Sequence, residues 1–447
     1  GATALTGTLA NGTLTGTTLT GSNATLDGIT IGSNLTTVGN FYINNLTLAN
    51  GVTVNMGNST WGFNTTGLQH IAVQGGVGTA TLNNAGGVFY AGYGVAGQTL
   101  RIDSGVTLQG YGTLTQSSVA SLINAGTMNA NTVGQTFSIS TDTFINNGTL
   151  SATSGDGLSI SPATFANSST GIINVSGGTV SIGPASGTAL NWSNAGKINV
   201  SSGILNLGGS FTIADLTGAA KYSRTGGVVN LTGTLDNTGN TLDVGSAGQF
   251  GVGGLNVVSP SGFDYYGFIG GNIINGTVLS TDATPILNIN GALDGVTIGS
   301  NLSIVGNVII HNNLTLANGV TVDKGNGIWY FGTAGVQHIA TTGTAILNNA
   351  GGTLYGGYFT SSNTLQIDSG ITLQGYGGID GIATSTSALI NNGSIIANAA
   401  GQSFGIYAST LPNNCSVTNN GTMSVTAGTM IIRPLTTFTN ALGASIT

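Results

Sequence analysis

The feature that most constrains this chain is a long segment that occurs twice. Residues 26–35 read Leu-Asp-Gly-Ile-Thr-Ile-Gly-Ser-Asn-Leu, and residues 293–302 repeat them with a single change, at an offset of 267 residues. The same offset returns where the two copies end, at Phe137 and Phe404. Slips of one to three residues between these ends indicate insertions, which belong in loops. Duplication on this scale indicates a repeat protein, so the number of domains cannot be estimated from the chain length alone.

A shorter period lies inside each copy. An apolar residue followed closely by Asn recurs at intervals of 21 to 28 residues. Around these positions apolar residues alternate with Thr, Asn or Ser, and Asn-Gly or Gly-Gly pairs intervene, a pattern typical of short strands joined by turns. A unit this short cannot bury its apolar face alone, so it must stack on its neighbours. The positions are Leu122, Phe144, Phe165 and Trp192 in the first copy and Leu389, Val417 and Phe438 in the second.

These periods predict an all-β fold, an elongated and right-handed β-solenoid (β-helix) with coils of about 22 residues. We place a first solenoid block at 1–271 and a second, incomplete block at 272–447, within one continuous rod. Inward Leu, Ile, Val and Phe should form the core. Asparagines at the coil corners should form hydrogen-bonded ladders from coil to coil.

Composition favours such stacking of like on like. Only 4% of the residues are charged, against about 25% in ordinary globular chains. A column of identical charges at strand spacing would repel itself, whereas Thr and Ser can cover a solenoid without that cost. The 13 acidic and 6 basic residues leave a net charge of −7, so neither nucleic acid nor an anionic membrane surface is an expected partner. No apolar run approaches the roughly 18 residues of a membrane-spanning helix.

A resemblance to a known group of proteins rests on two stretches. Residues 203–211 read Gly-Ile-Leu-Asn-Leu-Gly-Gly-Ser-Phe, and residues 224–239 read Arg-Thr-Gly-Gly-Val-Val-Asn-Leu-Thr-Gly-Thr-Leu-Asp-Asn-Thr-Gly. This pattern resembles the β-strand repeats of very large bacterial surface proteins, similar in style to filamentous-haemagglutinin and autotransporter-passenger solenoids. The resemblance in the general pattern of short strands and turns extends over the whole chain. It is sharpest over 203–244 and the Leu-Asp-Gly blocks. The resemblance implies secretion, a cell-surface or extracellular location, and an adhesive or structural role, with no catalytic motif to transfer.

Both ends of the chain read as uncharged strands, at residues 2–20 and 441–447. Solenoids normally finish in a polar or atypical cap, because an open terminal coil is an exposed sheet edge. We therefore expect either that the chain is a segment of a longer array of the same repeats, or that it stacks head to tail on itself and forms filaments. The expected partners are thus the chain itself and, second, surface glycans.

The three histidines give no strong signal of a site. His70 and His338 occupy equivalent positions of the two copies, in Gln-His-Ile-Ala, and His311 lies in an insertion of the second copy. A metal or catalytic site needs further His or acidic partners, and the sequence flanking these histidines supplies none. We interpret all three as packed or surface histidines.

Four aspartates stand one or two residues before a glycine, a pattern typical of turns in which the carboxylate bonds its own backbone. Calcium binding is the alternative, but the repeated Gly-Gly-x-Gly-x-Asp nonapeptide of calcium-binding solenoids does not occur. We therefore predict no metal and no cofactor. The four residues are Asp27, Asp103, Asp294 and Asp368.

The densest set of charges comprises Asp215, Lys221, Arg224, Asp236 and Asp243. Asp215 and Asp236 are 21 residues apart, close to one coil, so stacking would bring them within a few ångströms. Paired carboxylates beside a cation are what β-helical polysaccharide lyases and hydrolases use. Asp215 and Asp236 are therefore weak catalytic candidates, and the alternative is that these charges mark a loop.

Aromatic residues gather at equivalent positions of the two copies. Tyr90 and Tyr93 in the first copy correspond to Tyr355 and Tyr358 in the second. We interpret these rings first as packed in the core or at a corner, and the alternative is an exposed set that stacks on sugars. Cys415, the single cysteine, is interpreted as a small buried residue in a strand, with a reactive thiol as the alternative.

The function expected from these patterns is structural. We expect an extracellular or cell-surface protein without enzymatic activity: a stalk, fibre or sheath subunit, with or without adhesion. The first alternative is a carbohydrate-binding adhesin that uses the tyrosines. The second is a polysaccharide-degrading β-helix that uses Asp215 and Asp236.

Overall fold

The chain forms a parallel β-solenoid, as predicted, in which successive coils stack strand on strand. It divides into two compact units, Gly1–Val229 and Asn230–Thr447, each of which is described on its own. The blocks assigned from the duplication, 1–271 and 272–447, stay a prediction about the sequence repeat. The computed structural model describes residues 2–183, 191–259, 270–356, 362–381, 386–407, 414–434 and 436–447.

Short strands supply almost all of the regular structure. The strands β1 to β23 are, in order, Ala2–Leu5, Thr8–Ala10, Thr13–Leu14, Thr18–Ile31, Leu35–Leu48, Thr53–Gly57, Thr60–Phe63, Gly67–Val73, Ala80–Tyr90, Gln98–Ile102, Val106–Thr115, Ala120–Asn124, Thr127–Ala130, Thr136–Ile139, Thr143–Asn146, Thr149–Thr153, Gly157–Ile160, Thr164–Asn167, Ile172–Ile182, Asn191–Asn194, Lys197–Leu207, Ser210–Thr212 and Tyr222–Arg224. The strands β24 to β45 are Val228–Leu231, Thr234–Asp236, Thr241–Asp243, Asn256–Val257, Asn272–Ile274, Thr277–Leu279, Ile286–Ile289, Gly291–Ile298, Leu302–Val305, Val308–Leu316, Thr321–Gly325, Trp329–Phe331, Gly335–Thr341, Ala345–Gly356, Ser362–Ile367, Ile371–Asp380, Thr386–Asn391, Ser394–Ile406, Asn414–Asn419, Thr422–Ile432, Thr437–Asn440 and Ser445–Ile446.

Helical structure is confined to two short turns in the part of the chain that the structure describes. They are 3-10 turns at Gln74–Gly76 and Ile213–Asp215. No described helix has the length and hydrophobicity that crossing a membrane requires.

Three strands make one coil in the first unit. β12, β13 and β14 pair in parallel with β15, β16 and β17 of the following coil. Leu122 pairs with Phe144, Phe144 with Phe165, and Phe165 with Trp192. The rings of Phe144 and Phe165 pack with their centroids 5.3 Å apart. These are the positions marked by the short sequence period, so that period is confirmed as one coil.

Alternate side chains point into each coil, because successive residues of a strand face opposite sides. Leu347, Leu373, Ile395 and Met423 of the second unit pair in register from strand to strand, and each is fully or almost fully buried. Burying such a side chain contributes roughly 1.5–3 kcal/mol. The core of each unit is therefore a column of apolar side chains shared between neighbouring coils.

Asparagines of successive coils form the predicted ladders. Except at the last asparagine of each ladder, the side-chain amide nitrogen donates to the side-chain oxygen of the asparagine in the next coil, at 2.7 or 2.8 Å. The amide group suits this role because it carries both a donor and an acceptor. The ladder of the first unit comprises Asn124, Asn146, Asn167 and Asn194, and that of the second comprises Asn391, Asn419 and Asn440.

Cys415 is a free, fully buried thiol in β42, which confirms the interpretation from the sequence. Burial, with a smaller effect from the negative charge of Asp380, raises the pKa of Cys415 to about 11. Because the thiolate is the reactive species, we expect Cys415 in the folded protein to react with an aromatic disulfide reagent more than ~100-fold slower than in the urea-unfolded chain. Equal reaction rates in the two states would contradict this.

Candidate functional site

Three tyrosines lie together on the outside of the first unit, and we call Tyr42, Tyr90 and Tyr93 the tyrosine cluster. Strand register places Tyr42, Gly62 and Tyr90 in one column. Gly62 leaves a gap in this column, and Tyr93 fills it, since a Cβ at Gly62 would lie 3.0 Å from Cγ of Tyr93. The centroid of the Tyr93 ring is 5.5 Å from that of Tyr42 and 5.2 Å from that of Tyr90. The structure thus brings Tyr90 and Tyr93 together and adds Tyr42.

The second unit has a two-ring counterpart, Tyr330 and Tyr355, which we call the tyrosine pair. Tyr330 stands where the first copy has a glycine, and its ring stacks on Tyr355 with centroids 5.4 Å apart and planes 11° apart. The pair packs against Ala292 and Ile309. Burial raises the pKa of both phenols above the ordinary value of 10.0, so both stay uncharged further into the alkaline range than a free tyrosine. Tyr358, the remaining sequence candidate, lies outside the described residues.

Half-buried tyrosines of this kind can contact a sugar. Tyr42, Tyr90 and Tyr93 are each partly exposed, so each ring is held by its neighbours and still reaches solvent. An aromatic ring offers an apolar face, and the phenol oxygen offers a hydrogen bond, which matches the two kinds of surface on a pyranose. Tyr42 and Tyr330 were not predicted from the sequence, because only the strand register shows which rings share a column.

A His–Asp pair lies on the outside of the first unit. Nδ1 of His70 is 2.8 Å from Oδ2 of Asp103, and the two side chains are 38% and 23% exposed. Nε of Arg101 donates to Oδ1 of the same carboxylate at 2.6 Å. The carboxylate is therefore held from two sides, and it orients the imidazole.

The second unit repeats this arrangement with one substitution. Nδ1 of His338 is 2.9 Å from Oδ1 of Asp368, and Nε2 of Gln366 takes the place of the arginine by donating to the same oxygen at 2.7 Å. With Nδ1 bound to a carboxylate, Nε2 is the ring nitrogen left for an outside partner. Among the described residues, no group of three or more His, Cys, Asp or Glu is placed to hold a metal ion.

His70 and His338 are partly exposed, in agreement with their interpretation as surface histidines. The interpretation that Asp103 and Asp368 bond their own turns is wrong. His70 and His338 do have acidic partners, which lie 33 and 30 residues away, on the next coil, where local flanks do not reveal them. The hydrogen bonds given to the carboxylates of Asp103 and Asp368 come from these neighbouring side chains, so the carboxylates link two coils instead of bonding their own turn. His311 is a packed histidine, and burial lowers its pKa.

Asp215 and Asp236 each serve a turn in their own unit. Asp215 caps a 3-10 turn, where Oδ2 accepts from the backbone N–H and the hydroxyl of Thr212 at 3.0 and 2.8 Å. Asp236 accepts from the backbone N–H of Thr238 at 2.9 Å, and hydrogen bonds from Thr238 lower its pKa. A general acid needs the opposite shift. Their catalytic role stays a prediction that these contacts do not favour.

Asp156 is a buried carboxyl in the first unit, 3% exposed, and neither of its oxygens has a well-formed hydrogen bond. It fits because Gly178 in the next coil has no side chain: a Cβ there would lie 2.5 Å from Oδ1. Burial raises its pKa above the ordinary value of 3.8, and backbone N–H groups at Thr153 and Asp156 oppose this more weakly. Ionising this group above its folded pKa therefore opposes folding, and this cost fades as the pH falls through that pKa.

We expect Asp156→Asn to stabilise the first unit at neutral pH by more than it does at mildly acidic pH. The amide keeps the shape of the carboxyl, but it carries no charge whose burial must be offset. Urea unfolding of both proteins at the two pH values measures the difference. The same shift in unfolding midpoint at both pH values would contradict the expectation.

Lys324 is fully buried in the second unit, at the position where the first copy has Met56. Its Nζ donates to the carbonyl of Gly327 and lies 3.1 Å from Oδ1 of Asn349. The amine is also 6.0 Å from the centroid of the Trp329 ring. Burial lowers the pKa of Lys324 to about 7. The burial of Lys324 was not predicted from the sequence, although strict alternation in Thr-Val-Asp-Lys-Gly places the lysine on the same side as the buried valine.

Neither a protein-family model nor a curated protein matches this chain. Function is therefore inferred from the fold and from the side chains described above.

Proposed function

We propose that this protein is a non-enzymatic structural β-solenoid that works at the cell surface or in the extracellular space, as a stalk, fibre or sheath component. The observation that supports this best is the stacking of uncharged like residues on one another, outside as well as inside. An outward column of threonines pairs in register over successive coils of the first unit. Its members are Thr53, Thr81, Thr107, Thr127 and Thr149.

Stacking of this kind suits a protein whose role is to span distance. Each coil is stabilised by its nearest neighbours, so coils can be added without redesigning a central core. A second outward column, made of amide side chains, also stacks uncharged residues on one another. In it, Gln109 donates to Asn83 at 2.7 Å, and Asn83 donates to Asn55 at 2.8 Å. The likeness of residues 203–244 to the repeats of filamentous-haemagglutinin and autotransporter-passenger proteins supports the secreted location.

Location is tested on intact cells that produce the protein. We expect surface-applied antibody and protease to reach the chain while a cytoplasmic control protein remains protected. A chain that becomes accessible only after lysis would overturn the proposed location. Electron microscopy of the purified protein then separates a self-assembling filament subunit from a stalk segment, since the first gives filaments and the second gives discrete particles.

A second candidate function, glycan binding by an adhesin, is favoured by the tyrosine cluster. Removing the central ring with Tyr93→Ala should weaken binding on a glycan array by about tenfold, because a sugar-stacking ring contributes on the order of 1 kcal/mol. Tyr111→Ala is the matched control, since Tyr111 is a partly exposed tyrosine beside Gly86 and outside the cluster. Equal binding by the wild type and Tyr93→Ala, with circular dichroism unchanged, would remove this candidate.

A further inference from the structure

Lys324 and Asn349 place an amine and an amide side by side in the core of the second unit. They lie on β34 and β37, which pair in parallel in neighbouring coils. Nζ of Lys324 is 3.1 Å from Oδ1 of Asn349, and the two residues are 0% and 2% exposed. The amine is therefore within reach of the side-chain carbonyl and shielded from solvent.

The amide of Asn349 is held in one orientation by Gly352. The backbone N–H of Gly352 donates to Oδ1 at 3.1 Å, and Nδ2 donates to the carbonyl of Gly352 at 2.8 Å. Because a backbone N–H can only donate, the atom that faces it is the amide oxygen, and the same oxygen is 3.1 Å from Nζ of Lys324. Asn84 and Gly87 of the first copy form the same pair of hydrogen bonds.

We propose that Lys324 and Asn349 form an intramolecular isopeptide bond. The lone pair of the neutral Nζ attacks Cγ of Asn349, and the bond between Cγ and Nδ2 breaks. One proton moves from Nζ to Nδ2, which leaves as ammonia, so atoms and charge balance without an oxidant or reductant. The N–H of Gly352, already on Oδ1, stabilises the negative charge that develops on this oxygen.

Two features of the site favour attack by the amine. A lysine is nucleophilic only when it is neutral, and burial lowers the pKa of Lys324 to about 7, so the neutral form is well populated at neutral pH. The hydrogen bond to Gly327 and the nearby Trp329 ring hold the amine against the amide, which replaces a bimolecular encounter by an intramolecular one. The resulting bond would link two successive coils covalently.

The first copy supplies an internal control. Met56 stands at the position of Lys324, beside the same kind of glycine-held amide, Asn84. This site has the amide but no amine, so it cannot form the bond. Lys324→Met therefore transfers a side chain that already fits the equivalent core position.

Intact-mass measurement and tryptic mapping of the full chain test the bond. We expect the folded wild type to be lighter than its sequence mass by one ammonia. Trypsin acting on the unfolded wild type should leave residues 225–447 as one peptide, because an acylated Lys324 is no longer a cleavage site and Arg433 precedes a proline, where trypsin does not cut. Fragmentation of this peptide should give a branched product that joins Lys324 to Asn349.

Two variants that cannot form the bond should give the opposite result in both measurements. Lys324→Met should have its full sequence mass, and Asn349→Ala should be cleaved at Lys324 into peptides 225–324 and 325–447. A wild type of full mass that trypsin cleaves at Lys324, even after prolonged incubation at neutral and mildly alkaline pH, overturns the proposal. Loss of ammonia that persists in Lys324→Met also overturns it, since a succinimide at an Asn-Gly sequence would then be the source.

Discussion

A Gly110→Ala variant is expected to lose at least about 3 kcal/mol of the free energy of unfolding of the first unit. Gly110 lies in β11, and it pairs with Asn84 of one neighbouring coil and Ala130 of the other. Its φ of +108° disfavours any residue with a side chain, and an added Cβ would lie 1.9 Å from the backbone oxygen of Asn84. Since this neighbour is backbone, relief of the clash requires the two coils to move apart. Urea unfolding followed by circular dichroism measures the loss.

Gly134→Ala is the control for Gly110→Ala. Gly134 also has a positive φ, +72°, but a Cβ there would have no atom within 4 Å. It should therefore show only the backbone cost of a left-handed alanine, roughly 1–2 kcal/mol. Equal losses in the two variants would mean that close contact between coils does not limit residue choice at Gly110.

An Asn146→Ala variant is expected to lose about 3 kcal/mol of stability, because it interrupts the buried ladder of the first unit at its middle. Asn146 accepts from Asn124 at 2.8 Å and donates to Asn167 at 2.7 Å, and all three residues are buried. Truncation removes both bonds, leaves the Asn167 oxygen without this donor, and opens a cavity where the amide stood. The unfolding midpoint in urea is again the measurement.

Asn129→Ala is the matched control for the ladder. Asn129 accepts from the hydroxyl of Ser151 at 2.7 Å, but both residues are partly exposed. Water can replace this bond, so we expect a loss below about 1 kcal/mol. If Asn146→Ala and Asn129→Ala were equally stable, the buried ladder would not be a source of stability.

The period of the sequence predicted the coils, because each coil must bury the same kind of side chain at the same place. Phe144 pairs with Phe165, and Asn146 donates to Asn167, as expected from spacings of about one coil. What decides these contacts is burial and hydrogen bonding between identical residues, and both are visible as a repeat in the sequence.

The candidate sites depend on register, which spacing alone does not fix. Coil length varies: Arg101 pairs with His70 across a coil longer than 22 residues, which brings Asp103 to the histidine. Tyr93 enters the tyrosine cluster from outside any strand, through a gap left by Gly62. These contacts depart from the regular spacing of about one coil, so the short period of the sequence does not predict them.

Distances between spin labels on the threonine column and on Lys197, which continues its register, test the stacked-coil account most directly. Thr81 is joined to Thr149 by three successive strand pairings and to Lys197 by five. With ~4.8 Å per coil, the two backbone separations should be about 14 and 24 Å. Labels at cysteines introduced in pairs at these positions, in a Cys415→Ser background, are measured by electron paramagnetic resonance. The account predicts a separation that grows by about 10 Å from the first pair to the second, and a separation that does not grow would contradict it.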